Sequence, residues 1–173
     1  MPNSVKVTEF LKECIADAIL KLLETKPIDK ITANEISELS GVGRATYFRY
    51  FKSKTEPLVF KLNKMWERWA NEHGVKVRDK FDIENGKTYF EYHLSIKDIT
   101  SLLYRCGLQR VCLESIYKTM SAHGNASPPN CYADSFYALG LYGILDTWIK
   151  RGYAETPDEM LEYIRKFASR NDR

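Results

Sequence analysis

Seven residues within a stretch of eleven carry the side chains with which proteins grip and read DNA: Arg44, Ala45, Thr46, Phe48, Arg49, Tyr50 and Lys54. An arginine fork matches O6 and N7 of guanine, a threonine can bond a base edge and touch a thymine methyl, and an alanine lets the backbone approach closely. The Tyr50 hydroxyl suits a phosphate oxygen, as do Thr32 and the backbone N–H groups at its helix start. Lys54 stands at the next helix start, where positive potential gathers. Such contacts position a protein without reading sequence. Local charge agrees, because Val42 to Lys64 holds six Arg and Lys residues against Glu56 alone. That is the footprint phosphate contacts require.

Other chemistries lack their residues. There is no nucleophile elbow, P-loop, HExxH or dinucleotide fingerprint, and His73, His93 and His123 have no Cys, Asp or Glu at metal spacing. No enzymatic activity, metal or cofactor is expected. Cys14, Cys106, Cys112 and Cys131 have no CxxC spacing and read as reduced, mostly buried thiols. The start of the chain lacks an apolar run behind basic residues, and no apolar stretch reaches membrane-spanning length. A cytoplasmic protein without membrane contact is expected. The 173 residues allow one domain or a small module fused to a modest second one, and their net charge is only +3. All of that excess lies in residues 1–70.

The elements that must hold these side chains are all helical. Apolar residues at Val7, Phe10, Leu11, Cys14, Ile15, Ala18, Ile19 and Leu22 mark one amphipathic helix that must end before Pro27. Thr32-Ala33-Asn34-Glu35 is a capping box that opens a helix to about Leu39. Gly41 falls where a left-handed residue would close it, and Arg44 to Tyr50 forms the next helix. Two short helices across a glycine turn make a helix-turn-helix over residues 32–51, whose second member enters the major groove. At 100° per residue Tyr47 and Phe51 face inward, with Ile36, Leu39 and Val42, while Ala45 and Arg49 face outward, flanked by Thr46, Phe48 and Tyr50.

A second box, Ser53 to Glu56, precedes a helix with Leu58, Leu62, Met65, Trp66 and Trp69 on its apolar face. Pro57 pushes the true boundary a residue or two later, and Gly74 ends the helix. Val75 to Gly86 is a polar connection. Helices then follow over Thr88 to Cys106, with a break near Ser95 to Asp98, and over Leu108 to Met120. Ala122 to Asn130 has loop composition, and a helical stripe runs from Ala133 to Ile149. A last helix opens with the box Thr156-Pro157-Asp158-Glu159. The fold class is therefore all-α.

The segment Ile31 to Lys54, ITANEISELSGVGRATYFRYFKSK, resembles the DNA-binding module of the tetracycline-repressor (TetR) family. Thr32, Ile36, Gly41, Val42, Thr46, Arg49, Tyr50, Phe51 and Lys54 fall on that family's pattern. Three positions depart from it: Gly43 replaces a Ser or Thr, Ser37 replaces an Ala, and Tyr47-Phe48 reverses the usual order of hydrophobe and Tyr. Phe48 has no hydroxyl for a phosphate, so its contact should be apolar. The resemblance implies a three-helix DNA-binding domain over 1–70 and a helical ligand-binding and dimerisation domain over 71–173. It further implies a homodimeric repressor on a near-palindromic operator, released by a small molecule.

In the family the last two helices of each protomer form a four-helix bundle across a two-fold axis. Here the helix around Gly140 is apolar too far round to be satisfied within a small domain. Phe136, Gly140, Gly143, Ile144, Trp148, Leu161 and Ile164 are the expected dimer contacts. The 14 aromatics from Asn71 onward suggest a pocket for a small apolar or aromatic effector, for which Tyr89, Tyr92, His93, Tyr104, Tyr117 and Tyr137 are the candidates. The competing assignment is a coactivator or partner-binding subunit on the same fold, left open by Gly43 and Phe48.

Overall fold

A computed structural model of the chain describes residues 2–75, 86–120 and 128–170. The described residues form nine α-helices and no strand: α1 (Pro2–Leu23), α2 (Ala33–Ser40), α3 (Arg44–Tyr50), α4 (Glu56–Glu72), α5 (Gly86–Ser95), α6 (Lys97–Arg105), α7 (Gln109–Met120), α8 (Pro128–Lys150) and α9 (Pro157–Arg170). A 3-10 turn, Ile28–Lys30, joins α1 to α2. The helices pack as two compact units, Met1–Lys64 with Leu102–Ser115 and Met65–Ser101 with Ile116–Arg173.

In the first unit α1 packs on α2 and α3, and α2 on α3. Ile15, Ala16, Ala18, Ile19 and Leu23 of α1 are buried with Ile31, Ile36, Val42, Tyr47, Phe51, Leu58 and Val59. Each such large side chain removed from water contributes about 1.5–3 kcal/mol. The stripe along α1 outruns its partners, since Val7 and Phe10 are exposed. Leu39, expected inside, is 44% exposed at the last turn of α2, whereas Ile36, one turn earlier, is fully buried.

Local chemistry sets the helix ends. The Thr32 hydroxyl accepts the Glu35 N–H at 3.3 Å, and the Glu35 carboxylate accepts the Thr32 N–H at 2.9 Å. Gly41 then takes φ 68°, ψ 10°, the left-handed conformation that a Cβ would strain. The second box forms by half. Ser53 Oγ accepts the Glu56 N–H at 3.2 Å, but the Glu56 carboxylate takes the N–H of Lys52, at 2.7 Å. A helix started at Ser53 would need a fourth-residue N–H from Pro57, so α4 begins at Glu56 and leaves the proline in its first turn.

In the second unit α5 packs on α9, and α5 and α6 are separate helices that meet at Ile96, inside the expected break. Trp148 is fully buried, edge-on to Phe90 and Tyr153, and its indole N–H donates to the Glu155 carbonyl at 3.0 Å. Tyr153 holds a left-handed φ of 58°, anchored by the hydrogen bond between its hydroxyl and Thr100. The Thr156 box closes on Glu159 as expected. The loop expectation for Ala122 to Asn130 is corrected at its end, where Pro128–Asn130 already belong to α8. Proline is compatible with a first helical turn, and residues 121–127 lie outside the described set.

Candidate nucleic-acid interface

α3 is held by what it buries. Tyr47 is buried between α1 and α2, its ring 6.5 Å from that of Phe51, and desolvation raises its phenol above the ordinary value. With Tyr47 and Phe51 inward, helical periodicity leaves Ala45, Phe48 and Arg49 exposed and Thr46 and Tyr50 half-buried. Phe48 is 60% exposed, unusual for so large an apolar side chain unless something is to cover it.

Several of these groups are engaged inside the unit. The Arg44 guanidinium donates to Asn34 Oδ1 at 3.1 Å, tying the start of α3 to α2. The Arg49 guanidinium lies 4.8 Å from the Tyr50 ring centre and donates to the Tyr50 hydroxyl at 3.1 Å. Lys54 Nζ donates to the carbonyls of Ile28 and Asp29 at 2.9 and 3.1 Å, fastening the 3-10 turn. Thr32 gives its N–H and its hydroxyl proton to Glu35, so both serve the cap. Glu35 also binds Lys26, and these contacts together, Lys26 first, hold its carboxyl down at about 2.

The contiguous basic count overstates the charge available here. Lys61 pairs with Asp17 at 2.9 Å and Glu13 at 3.3 Å, and Lys64 with Glu9 at 2.6 Å. Two of the six basic residues are thus neutralised by α1. Sequence reasoning also missed what α1 gives back. Lys12 Nζ sits 5.4 Å from the ring centres of both Tyr50 and Phe60. The only local signal was its i, i+4 spacing from Thr8.

The candidate effector residues are scattered. Tyr89, Tyr92 and His93 join Trp66 and Trp69 in a cluster with ring centres 4.5–6.1 Å apart. Among the described residues Trp66 Nε1, Trp69 Nε1 and His93 Nδ1 have no hydrogen-bond partner though buried, and desolvation drives His93 down to about 3. Tyr104 lies in the first unit, Tyr117 is half-buried on α7, and Tyr137 is exposed beside Phe136. Trp66 and Trp69 were legible as an i, i+3 aromatic pair but were read only as an apolar face.

Of the expected dimer contacts, Phe136, Gly140 and Gly143 are exposed and Ile144 and Ile164 half-buried, while Trp148 and Leu161 are already buried by their own unit. An apolar groove of about 780 Å³ runs between α8 and α9, and its lining includes Leu139, Tyr163 and Phe167, which were not among the expected dimer contacts.

Two family models match the chain: bacterial regulatory proteins of the tetR family over residues 15–57, and a transcriptional regulator C-terminal region over residues 94–170. The chain belongs to the TetR family of transcriptional regulators. The first match spans α2, α3 and the turn between them, which are thus the helix-turn-helix of a TetR DNA-binding domain. No curated protein matches the chain. Among the described residues no helix is long and apolar enough to cross a membrane.

Proposed function

We propose that this TetR regulator is a homodimeric cytoplasmic repressor that binds a near-palindromic operator and is released by a small apolar or aromatic molecule. Residues 1–70 serve DNA binding, and residues 71–173 serve effector binding and dimerisation. The observation that carries the DNA reading is the division of α3, with Tyr47 locked inside and Ala45, Phe48 and Arg49 turned out. Arg49 then supplies base discrimination, Ala45 and Thr46 close approach, and Phe48 an apolar contact of the kind a thymine methyl offers.

Dimerisation is supported by the α8–α9 groove. Phe167, 65% exposed, lines it with Leu139 and Tyr163, Phe136 earlier on α8 is 74% exposed, and apolar surface of this kind is costly to leave in water. A two-fold pair would present two α3 helices to half-sites about one DNA turn apart. The cluster of Tyr89, Tyr92 and His93, completed by Trp66 and Trp69 from the end of the DNA-binding segment, supports an effector with a flat apolar body and polar atoms for the unpaired indole N–H groups.

Footprinting on DNA upstream of the protein's own and neighbouring genes tests the reading. Protection of a two-fold site, weakened steeply by salt and relaxed in sequence by Arg49→Ala, is expected. A flat salt response with unchanged binding by that variant overturns it.

A further inference from the structure

With Lys61 and Lys64 spent on α1 carboxylates and Lys54 on backbone carbonyls, Lys52 is what the downstream lysines leave beside α3. Further support comes from the other direction. All three acidic residues of α1, Glu9, Glu13 and Asp17, lie on one stripe and pair with α4, whereas Thr8 and Lys12, one turn apart, lie against Tyr50 of α3. Among the described residues Lys12 has no carboxylate partner. Its ammonium is held by two aromatic faces, which position a cation without cancelling its charge.

The Tyr50 oxygen is loaded with donors. Arg49 donates to it at 3.1 Å and Thr8 donates its hydroxyl, and these hydrogen bonds, Thr8 first, hold the phenol below its ordinary value. An oxygen that accepts twice keeps its own proton for a third group, and a polarised phenol is the stronger donor. A donor and a cation side by side, both half-buried at the edge of the proposed DNA-reading helix, match one chemistry, the phosphodiester of the DNA backbone.

We propose that Thr8 and Lys12 of α1 complete a backbone-phosphate clamp around Tyr50, in which Lys12 supplies the charge, Tyr50 the hydrogen bond and Thr8 the orientation of the phenol. The clamp rests on the DNA-binding reading and extends it to a helix outside the helix-turn-helix. Because phosphate contacts are indifferent to sequence, an end-labelled random 30-base-pair duplex is a sufficient probe, titrated across a series of KCl concentrations.

Each neutralised phosphate contributes about 0.9 to the slope of log K against log [KCl]. Lys12→Met keeps the apolar stem between the rings and, present in both subunits of the dimer, should lower that slope by two such steps, so that between 50 and 200 mM KCl it loses about 12-fold less affinity than the parent. Lys12→Arg should restore the slope. Tyr50→Phe and Thr8→Val should weaken binding several-fold with the slope unchanged, since they remove hydrogen bonds and no charge. Helical circular dichroism identical to the parent's certifies the fold of each variant. A parent-like slope in Lys12→Met, alongside a reduced one in Arg44→Ala, overturns the clamp and leaves DNA binding standing. Absence of salt-dependent duplex binding by the parent chain overturns both.

Discussion

Lys61 separates what the linear charge count implies from what the fold does with it. Counted along the chain it belongs to the DNA footprint, but its ammonium lies 2.9 Å from Asp17 and 3.3 Å from Glu13, and its side chain is 15% exposed. Lys61→Met keeps the length and apolar stem and deletes only the charge. The contact to Asp17, which is 56% exposed, contributes about 0.5 kcal/mol, within the range for solvated pairs. The half-buried contact to Glu13 is a charged hydrogen bond, for which about 1.5 kcal/mol is appropriate. The variant should therefore lose about 2 kcal/mol of stability. That corresponds to roughly 4–8 °C in Tm for a chain of this size. Thermal melts followed at 222 nm in 0.1 M and 1 M NaCl measure it, and the deficit should shrink at the higher salt, where the screening length falls to about 3 Å. The salt slope of duplex binding should stay at the parent's value. Unchanged stability together with a slope lower by about 1.8, one phosphate for each subunit of the dimer, would show that Lys61 faces DNA and refute the pairing.

Three further outcomes are expected. Acid should destabilise the protein in two stages. His93, lowered from 6.5 to about 3, is neutral when folded, so its contribution is lost as pH falls from about 6.5 towards 3; Glu35, lowered from 4.5 to about 2, loses its contribution from about 4.5 towards 2. Urea melts across this range check it, and His93→Gln should flatten the upper stage while Glu35→Gln flattens the lower; if neither variant changes the profile, the assignments fail. Gly41→Ala meets no neighbour but must hold φ 68°, so it should cost about 1–2 kcal/mol in chemical denaturation, and an unchanged midpoint would mean that the turn can relax. Phe167→Glu at the α8–α9 groove should shift the sedimentation of the chain from dimer to monomer with its helicity retained, and a variant that still sediments as a dimer tells against that face as the interface.

The parts of the fold that were legible are those decided within a few residues. The Thr32 and Thr156 boxes, the left-handed Gly41 and the inward Tyr47 and Phe51 depend on contacts three or four positions apart, and a sequence displays these directly. The Ser53 box failed by half because Pro57 imposed a competing local rule. Leu39 and Phe10 were misassigned for a different reason: periodicity shows which face is apolar but not how far the neighbouring helix extends. The exposed face of α3 was legible, and the contacts that reach it from other helices were not. The pairing of Lys61 and Lys64 with α1, and the approach of Lys12 to Tyr50, join residues tens of positions apart, and only tertiary packing brings such charges together.

The folded-back Arg49 sets a threshold on reading. To reach a guanine it must leave the Tyr50 ring, where a cation at an exposed site gains about 0.5–1 kcal/mol, in exchange for a bidentate base contact of about 1–3 kcal/mol. Only the difference counts towards choosing the base. A well-placed guanine outbids the tyrosine, a poorly placed one does not, and at that second kind of site the arginine stays at home while the backbone contacts alone hold the duplex.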